Sequence, residues 1–139
     1  IMAVYSSPDS VGVAQSVAKY IVDAQKKALQ SKDAFIVAVS GGSMGKVLKA
    51  GLIDNTEFSP QVQWEKWHIY FSDERLVPLE HEDSNCGLFI SLVVDHLKGP
   101  KPTVHPIDTN LLTGKNGQVE GSDELKDEEI SQAYARILP

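Results

Sequence analysis

The chain has 139 residues, 42% of them hydrophobic and 23% charged, the balance of an ordinary globular domain able to bury a core. Ten glycines and seven prolines exclude a collagenous or low-complexity polymer, and no apolar stretch nears the roughly 20 residues that a membrane-spanning helix requires. Thirteen Lys and Arg against nineteen Asp and Glu give a formal charge of -6, and only Arg75 and Arg136 are arginines, so the basic footprint expected of a DNA or RNA partner is missing.

The lone cysteine, Cys86, can form neither an internal disulfide nor a cysteine-based zinc site. With no signal-peptide pattern, this points to a reducing cytoplasm. The opening Ile1-Met2-Ala3 implies residues ahead of it.

After a short apolar opening to Tyr5, a serine among Ser6, Ser7 and Ser10, with Pro8, suits a helix start. Val13, Val17, Ala18, Ile21, Ala24 and Ala28 recur at helical spacing, opposite Lys19, Asp23, Lys26 and Lys27, which predicts a half-buried helix over 8–30. The continuous apolar run of residues 34–39 predicts a strand covered on both faces, hence a parallel sheet. Ser40-Gly41-Gly42-Ser43 ends it, and Met44, Val47, Leu48 and Leu52 resume a helical period to about Gly51.

A second buried strand is expected in the latter part of residues 64–71, dense in aromatic and β-branched side chains. It runs directly into Ser72-Asp73-Glu74-Arg75, then a polar loop. Ser84 or Asn85 can cap a helix carrying Leu88, Phe89, Leu92, Val93 and Leu97 before Gly99-Pro100 stops it. Residues 103–107 predict a short third strand, residues 109–123 a flexible loop, and Ile130, Tyr134, Ile137 and Leu138 a last amphipathic helix begun by an acidic run. Alternating strands and helices make an α/β fold with a mostly parallel, helix-flanked, Rossmann-like sheet. Three strands are few for such a sheet, so residues 1–139 are expected to be the first half of one domain.

Two segments bear chemistry. The serine-glycine loop joins strand to helix, where backbone N–H groups converge and the hydroxyls of Ser40 and Ser43 add donors, which suits a phosphate. The alternative is a tight turn with Ser43 as helix cap. Gly41 and Gly45-Lys46 approach the nucleotide P-loop pattern, but the glycine spacing is one residue short and Val47 replaces the magnesium-holding hydroxyl, so a phosphomonoester without metal or nucleotide is expected. In the second segment, successive side chains on an extended backbone diverge, so Asp73, Glu74 and Arg75 must divide roles. Arg75 offers a planar fork for phosphate, with the acids positioning it or contacting sugar hydroxyls; the plain alternative is a surface loop with exposed ion pairs. If the two strands are neighbours, both segments face one cleft at their carboxyl ends.

Among the histidines, His68 and His96 are expected as core or boundary imidazoles, and His105 is undecided. His81 sits in a solvated acidic loop, where adjacent residues do not converge on one ion, so no metal site is expected. Cys86 lacks a neighbouring cation and is expected as a small helix-start residue.

Val39-Ser40-Gly41-Gly42-Ser43, then Phe71-Ser72-Asp73-Glu74-Arg75-Leu76-Val77-Pro78, then His81 and Ser84-Asn85 together resemble the 6-phosphogluconolactonase family, particularly its fungal members. The resemblance spans nearly the whole chain. It implies hydrolysis of 6-phosphoglucono-δ-lactone to 6-phosphogluconate in the oxidative pentose phosphate pathway, with no cofactor and a phosphorylated sugar lactone as partner. It also implies that Ser40, Gly41, Gly42 and Ser43 lie near the sugar phosphate, and that Asp73, in a supporting role, and Arg75 lie at the substrate site. The family's catalytic histidine belongs to a Gly-His segment that does not occur before Pro139, so the general base is expected beyond it and the isolated span is expected to turn over little. Cys86 replaces an aromatic common after Ser-Asn in relatives. Two other readings stay open: an aldose–ketose isomerase-deaminase acting on glucosamine 6-phosphate, which Arg75-Leu76-Val77-Pro78 disfavours, and a non-catalytic paralogue binding a phosphosugar or a protein.

Overall fold

The computed structural model describes Val4 and residues 6–118 and 123–139. Most of the apolar opening and part of the expected 109–123 loop fall outside the described residues. Helix α1 (Ser10–Ala28) leads to strand β1 (Phe35–Val39), helix α2 (Met44–Lys49) with a π-helical extension (Ala50–Asp54), strand β2 (Trp67–Phe71), helix α3 (Asn85–Leu92), strand β3 (Thr103–Val104) and helix α4 (Glu124–Ala135). The three strands form one parallel sheet in the order β1-β2-β3, with Phe35 opposite Trp67 and Val39 opposite Phe71. An α/β fold follows. None of the described helices is long and apolar enough to cross a membrane.

Period-two alternation sends Phe35, Val37 and Val39 of β1, with Trp67, Ile69 and Phe71 of β2, into one core against Ala18 and Val22 of α1, Leu48, Leu52 and Phe89. Aromatic edges tighten this layer: Phe35 meets Trp67 edge-on at 5.0 Å, and Trp64 lies 4.7 Å from Trp67. The opposite face departs from the expectation of a strand covered on both sides. Ile36 is 44% exposed and Ala38 is exposed as well, while Tyr70 of β2 is buried. A continuous apolar run shows that a strand is able to be covered twice, not that it is; here only the odd positions of β1 meet a layer.

Other boundaries shift for local reasons. The cap of α1 is Asp9 rather than a serine, its carboxylate accepting from Gly12 N at 2.8 Å, and Pro8 lies ahead of the helix. The buried stripe of α1 is Ala14, Ala18, Val22 and Gln25, spaced by four, four and three residues along one face, so Val13 faces solvent. Gln25 is fully buried because all three of its bonds reach the chain leading into β2: Oε1 accepts from Gln63 N (2.9 Å) and Trp67 Nε1 (2.7 Å), and Nε2 donates to Gln61 O (2.8 Å). The helix expected to reach Leu97 ends at Leu92 and continues as a 3-10 turn, Val94–His96. The region expected as a loop holds 3-10 turns, Thr109–Leu111 and Lys115–Gly117, and Leu112 packs with Ile107 and Ile130 in a second small core. Asp123 caps α4 by accepting from Lys126 N at 3.0 Å.

Candidate active site at the carboxyl end of the sheet

Because β1 and β2 are parallel neighbours in register, residue 40 and residue 72 leave the sheet side by side. Ser72 N donates to Val39 O at 2.9 Å, carrying the ladder one residue past β2. The serine-glycine loop and the Asp73-Glu74-Arg75 arm therefore emerge at the same end of the sheet, the carboxyl end where open α/β sheets bind ligands.

In the first loop, Ser40, Gly42 and Ser43 are exposed and Gly41 is half-buried. Gly42 has φ +68°, a left-handed conformation that favours glycine, and a Cβ placed there would meet nothing within 4 Å, so its backbone lies open to a ligand. Ser43 makes no side-chain cap bond to α2, contrary to the tight-turn reading in which it serves as a cap.

The second segment divides as a pleated backbone requires. Arg75 Nη1 donates to Asp73 Oδ2 at 3.2 Å, and both side chains are more than half exposed, so the pair is an oriented surface fork rather than a source of stability. Glu74 turns the other way. Its carboxylate accepts from Asn85 N (2.7 Å), Cys86 N (2.8 Å) and Arg75 N (2.8 Å), with Ser84 Oγ at 3.4 Å. Ser84 itself accepts from Gly87 N at 3.0 Å as the cap of α3. A negative group on the first amides of α3 satisfies N–H groups that have no intrahelical partner and complements the helix dipole.

Asn85, the first residue of α3, is buried at 7% exposure and touches both segments. Its Nδ2 donates to Asp73 O at 3.0 Å. Its other side presses on the glycine loop: a Cβ on Gly41 would overlap Asn85 Oδ1 and stand 2.7 Å from Cγ. Sequence reasoning gave Asn85 no site role, and it expected Glu74 to position Arg75 or meet sugar hydroxyls, whereas the Glu74 carboxylate holds the start of α3. Two adjacent acids, Asp73 and Glu74, look alike in sequence; the available signal was the pairing of the arm with the Ser84-Asn85 helix start that follows it.

The remaining titratable groups sit elsewhere. Cys86 is fully buried, and burial, reinforced by the Glu74 carboxylate, pushes its thiol up to about 12, which removes it as a nucleophile. His68 Nδ1 and His105 Nε2 are 3.0 Å apart, with the His105 ring stacked on Tyr70 at 4.3 Å. Burial, then the neighbouring His68, holds the His105 imidazole below its ordinary value. His81 is half-buried, Nδ1 accepting from Asp83 N at 3.1 Å and Nε2 lying 3.2 Å from Gln118 Nε2. His96 is exposed, not a core imidazole, and lines a surface cavity with Trp64 and Asp54, where the chain enters β2. Among the described residues, no group of three or more His, Cys, Asp or Glu is arranged to hold a metal.

Comparison with known proteins matches this architecture. The family profile of glucosamine-6-phosphate isomerases/6-phosphogluconolactonase covers residues 8–139. From Saccharomyces cerevisiae, 6-phosphogluconolactonase 3 is 40% identical over 132 residues, covering 94% of this chain and 50% of its own length. The 6-phosphogluconolactonase 4 of the same species is 36% identical over 129 residues, covering 87% and 48% respectively. The chain thus spans about half the length of the curated relatives it matches. The crystal structure of 6-phosphogluconolactonase from Thermotoga maritima superposes with a TM-score of 0.62 at 28% identity, over 93% of this chain and 53% of that one. A second structure, from Neisseria gonorrhoeae, shows the same fold with a TM-score of 0.67 at 23% identity, over 97% of this chain and 52% of that one. Two strand-end segments at one sheet edge, and a profile running from Pro8 to Pro139, lead to one assignment: the chain belongs to the glucosamine-6-phosphate isomerase/6-phosphogluconolactonase family.

Proposed function

We propose that the protein carrying this chain hydrolyses 6-phosphoglucono-δ-lactone to 6-phosphogluconate, as a cytoplasmic step of the oxidative pentose phosphate pathway and without a cofactor. Residues 1–139 then form the N-terminal part of a single Rossmann-like α/β domain. The observation that carries the reading is the emergence of the serine-glycine loop and the Asp73–Arg75 fork from adjacent parallel strands at one sheet end.

In this reading, the backbone N–H groups of Gly41 and of the open Gly42 and the hydroxyls of Ser40 and Ser43 donate to the phosphate, and Arg75 adds a charge-assisted bond. Asp73 supports the reaction by holding the guanidinium in place. Water gives up a proton to a base as it adds to the lactone carbonyl, the tetrahedral oxyanion collapses, and the ring C–O bond breaks as its oxygen takes a proton, leaving a hydroxyl and a carboxylic acid that ionises to the carboxylate with net release of one proton. Of the four histidines, His68 and His105 pair with each other, His81 contacts Asp83 and Gln118, and His96 lies near the start of β2. The family resemblance implies that the proton acceptor is a histidine of a Gly-His segment absent from these 139 residues, so the isolated span should turn the lactone over hardly at all.

The runner-up is isomerisation and deamination of glucosamine 6-phosphate, which shares the phosphate requirement. With the full-length protein, alkali uptake at constant pH with the lactone, corrected for spontaneous hydrolysis, is compared with ammonia release from the amino sugar phosphate. Enzymatic acid release with no ammonia supports the lactonase. Ammonia release refutes it in favour of the isomerase, and neither product leaves a non-catalytic binding protein.

A further inference from the structure

We propose that Asn85 is a positioning residue that sets the separation between the phosphate loop and the Asp73–Arg75 fork; its catalytic consequence rests on the lactonase reading above. The two segments leave adjacent strands, but past Ser72 N→Val39 O no backbone ladder continues between them, and Arg75 bonds only within its own arm. Asn85 spans the gap. Its amide donates to Asp73 O at 3.0 Å while its oxygen side fills the place that any side chain on Gly41 would need.

Asn85 is itself fixed. Its backbone N–H donates to Glu74 at 2.7 Å, so α3 and the arm are locked together before the side chain reaches across. Buried at 7% exposure, it sits behind the open side of the loop formed by Gly42 and Ser43. The three atoms nearest the place of a Gly41 Cβ all belong to Asn85, and a small void lined by Asn85, Leu88, Phe89 and Leu92 adjoins the loop. A ligand that bonds both segments needs their spacing set in advance, because an ångström of misplacement is enough to lose about 100-fold in rate.

The test uses Asn85→Asp in the full-length protein, which keeps the shape and removes the donor to Asp73 O, with Asn85→Ala as the larger perturbation. Two readouts are taken: kcat and KM with the lactone, and amide hydrogen exchange at residues 40–45 and 72–76. The expected result for Asn85→Asp is a 10- to 100-fold fall in kcat/KM, in the range that misplacement produces, together with exchange that quickens in both segments more than in the rest of the chain, and a lowered unfolding midpoint because a buried carboxylate then faces Asp73 O and Glu74. Unchanged kinetics overturn the proposal. Lost activity without faster exchange in both segments also overturns it, since Asn85 would then act on substrate directly. If the parent protein turns over no lactone, the functional reading fails separately, and exchange alone judges Asn85: faster exchange in both segments sustains the positioning role, and unchanged exchange removes it.

Discussion

Replacing Glu74 by alanine should loosen the site from the side of α3. The carboxylate takes two N–H groups of a buried helix start, Asn85 N and Cys86 N at 2.7 and 2.8 Å, and a third from Arg75 at 2.8 Å. The Arg75 amide is in an exposed residue and regains water on truncation, so it contributes little to the difference. The other two bonds are charge-assisted, worth about 1.5–3 kcal/mol each, and a negative group at a helix start adds about 0.3–1 kcal/mol. Water entering the space left by the carboxylate offsets part of this, so the net loss should be about 3 kcal/mol. Glu74→Gln keeps one accepting oxygen but turns an NH2 donor toward the other helix amide and should lose about 2 kcal/mol. Exposed Glu82, in the same loop, supplies the control: Glu82→Ala should stay within about 0.5 kcal/mol of the parent. Urea denaturation of the full-length protein measures all three. A Glu74→Ala variant indistinguishable from Glu82→Ala would refute the reasoning that this carboxylate anchors the arm to α3.

Three further outcomes follow from the same geometry. Gly41→Ala should destabilise by about 1–3 kcal/mol through overpacking against Asn85, and the double variant Gly41→Ala, Asn85→Ala should unfold at higher urea than Gly41→Ala alone; additive losses would contradict the contact. Cys86, raised to about 12 and fully buried, should resist a disulfide reagent at pH 8 in the native protein and react stoichiometrically in urea; rapid native labelling would contradict its burial. His105 is lowered by burial and then by His68, so the unfolded chain binds more protons at this position below about pH 6.5. Its contribution is therefore intact above that pH and lost as pH falls toward the folded value. The stability drop between pH 7.5 and 5.5 should shrink in His105→Gln, and an unchanged drop would exclude the group as a source.

What was readable in the sequence was local. The run ending at Val39 and the run ending at Phe71 declare strands through their apolar and aromatic density, and the polar residues that follow each declare strand ends. Their pairing is non-local, yet it follows from alternation with helices, and the parallel register has that origin. Coverage was not readable: Ile36 and Val37 are equally apolar, and only the position of the helices decides that one is exposed and the other packed. The stripe of α1 was misplaced because Gln25 counts as polar by pattern, although its three partners 36 to 42 residues away allow it to be buried. Likewise, Asp73 and Glu74 differ by one methylene in sequence but face opposite directions in the structure, one toward Arg75 and the other toward α3. The His68–His105 pair spans 37 residues and left no local pattern.

The most direct test of a shared phosphosugar grip is a titration of the full-length protein with 6-phosphogluconate, the product of the proposed reaction, followed by backbone amide shifts. The account predicts that Gly41, Gly42, Ser43 and Arg75 shift together along one saturation curve, and that Arg75→Ala weakens that curve without abolishing the fold. Saturable binding that moves neither segment, or moves only one of them, would contradict it.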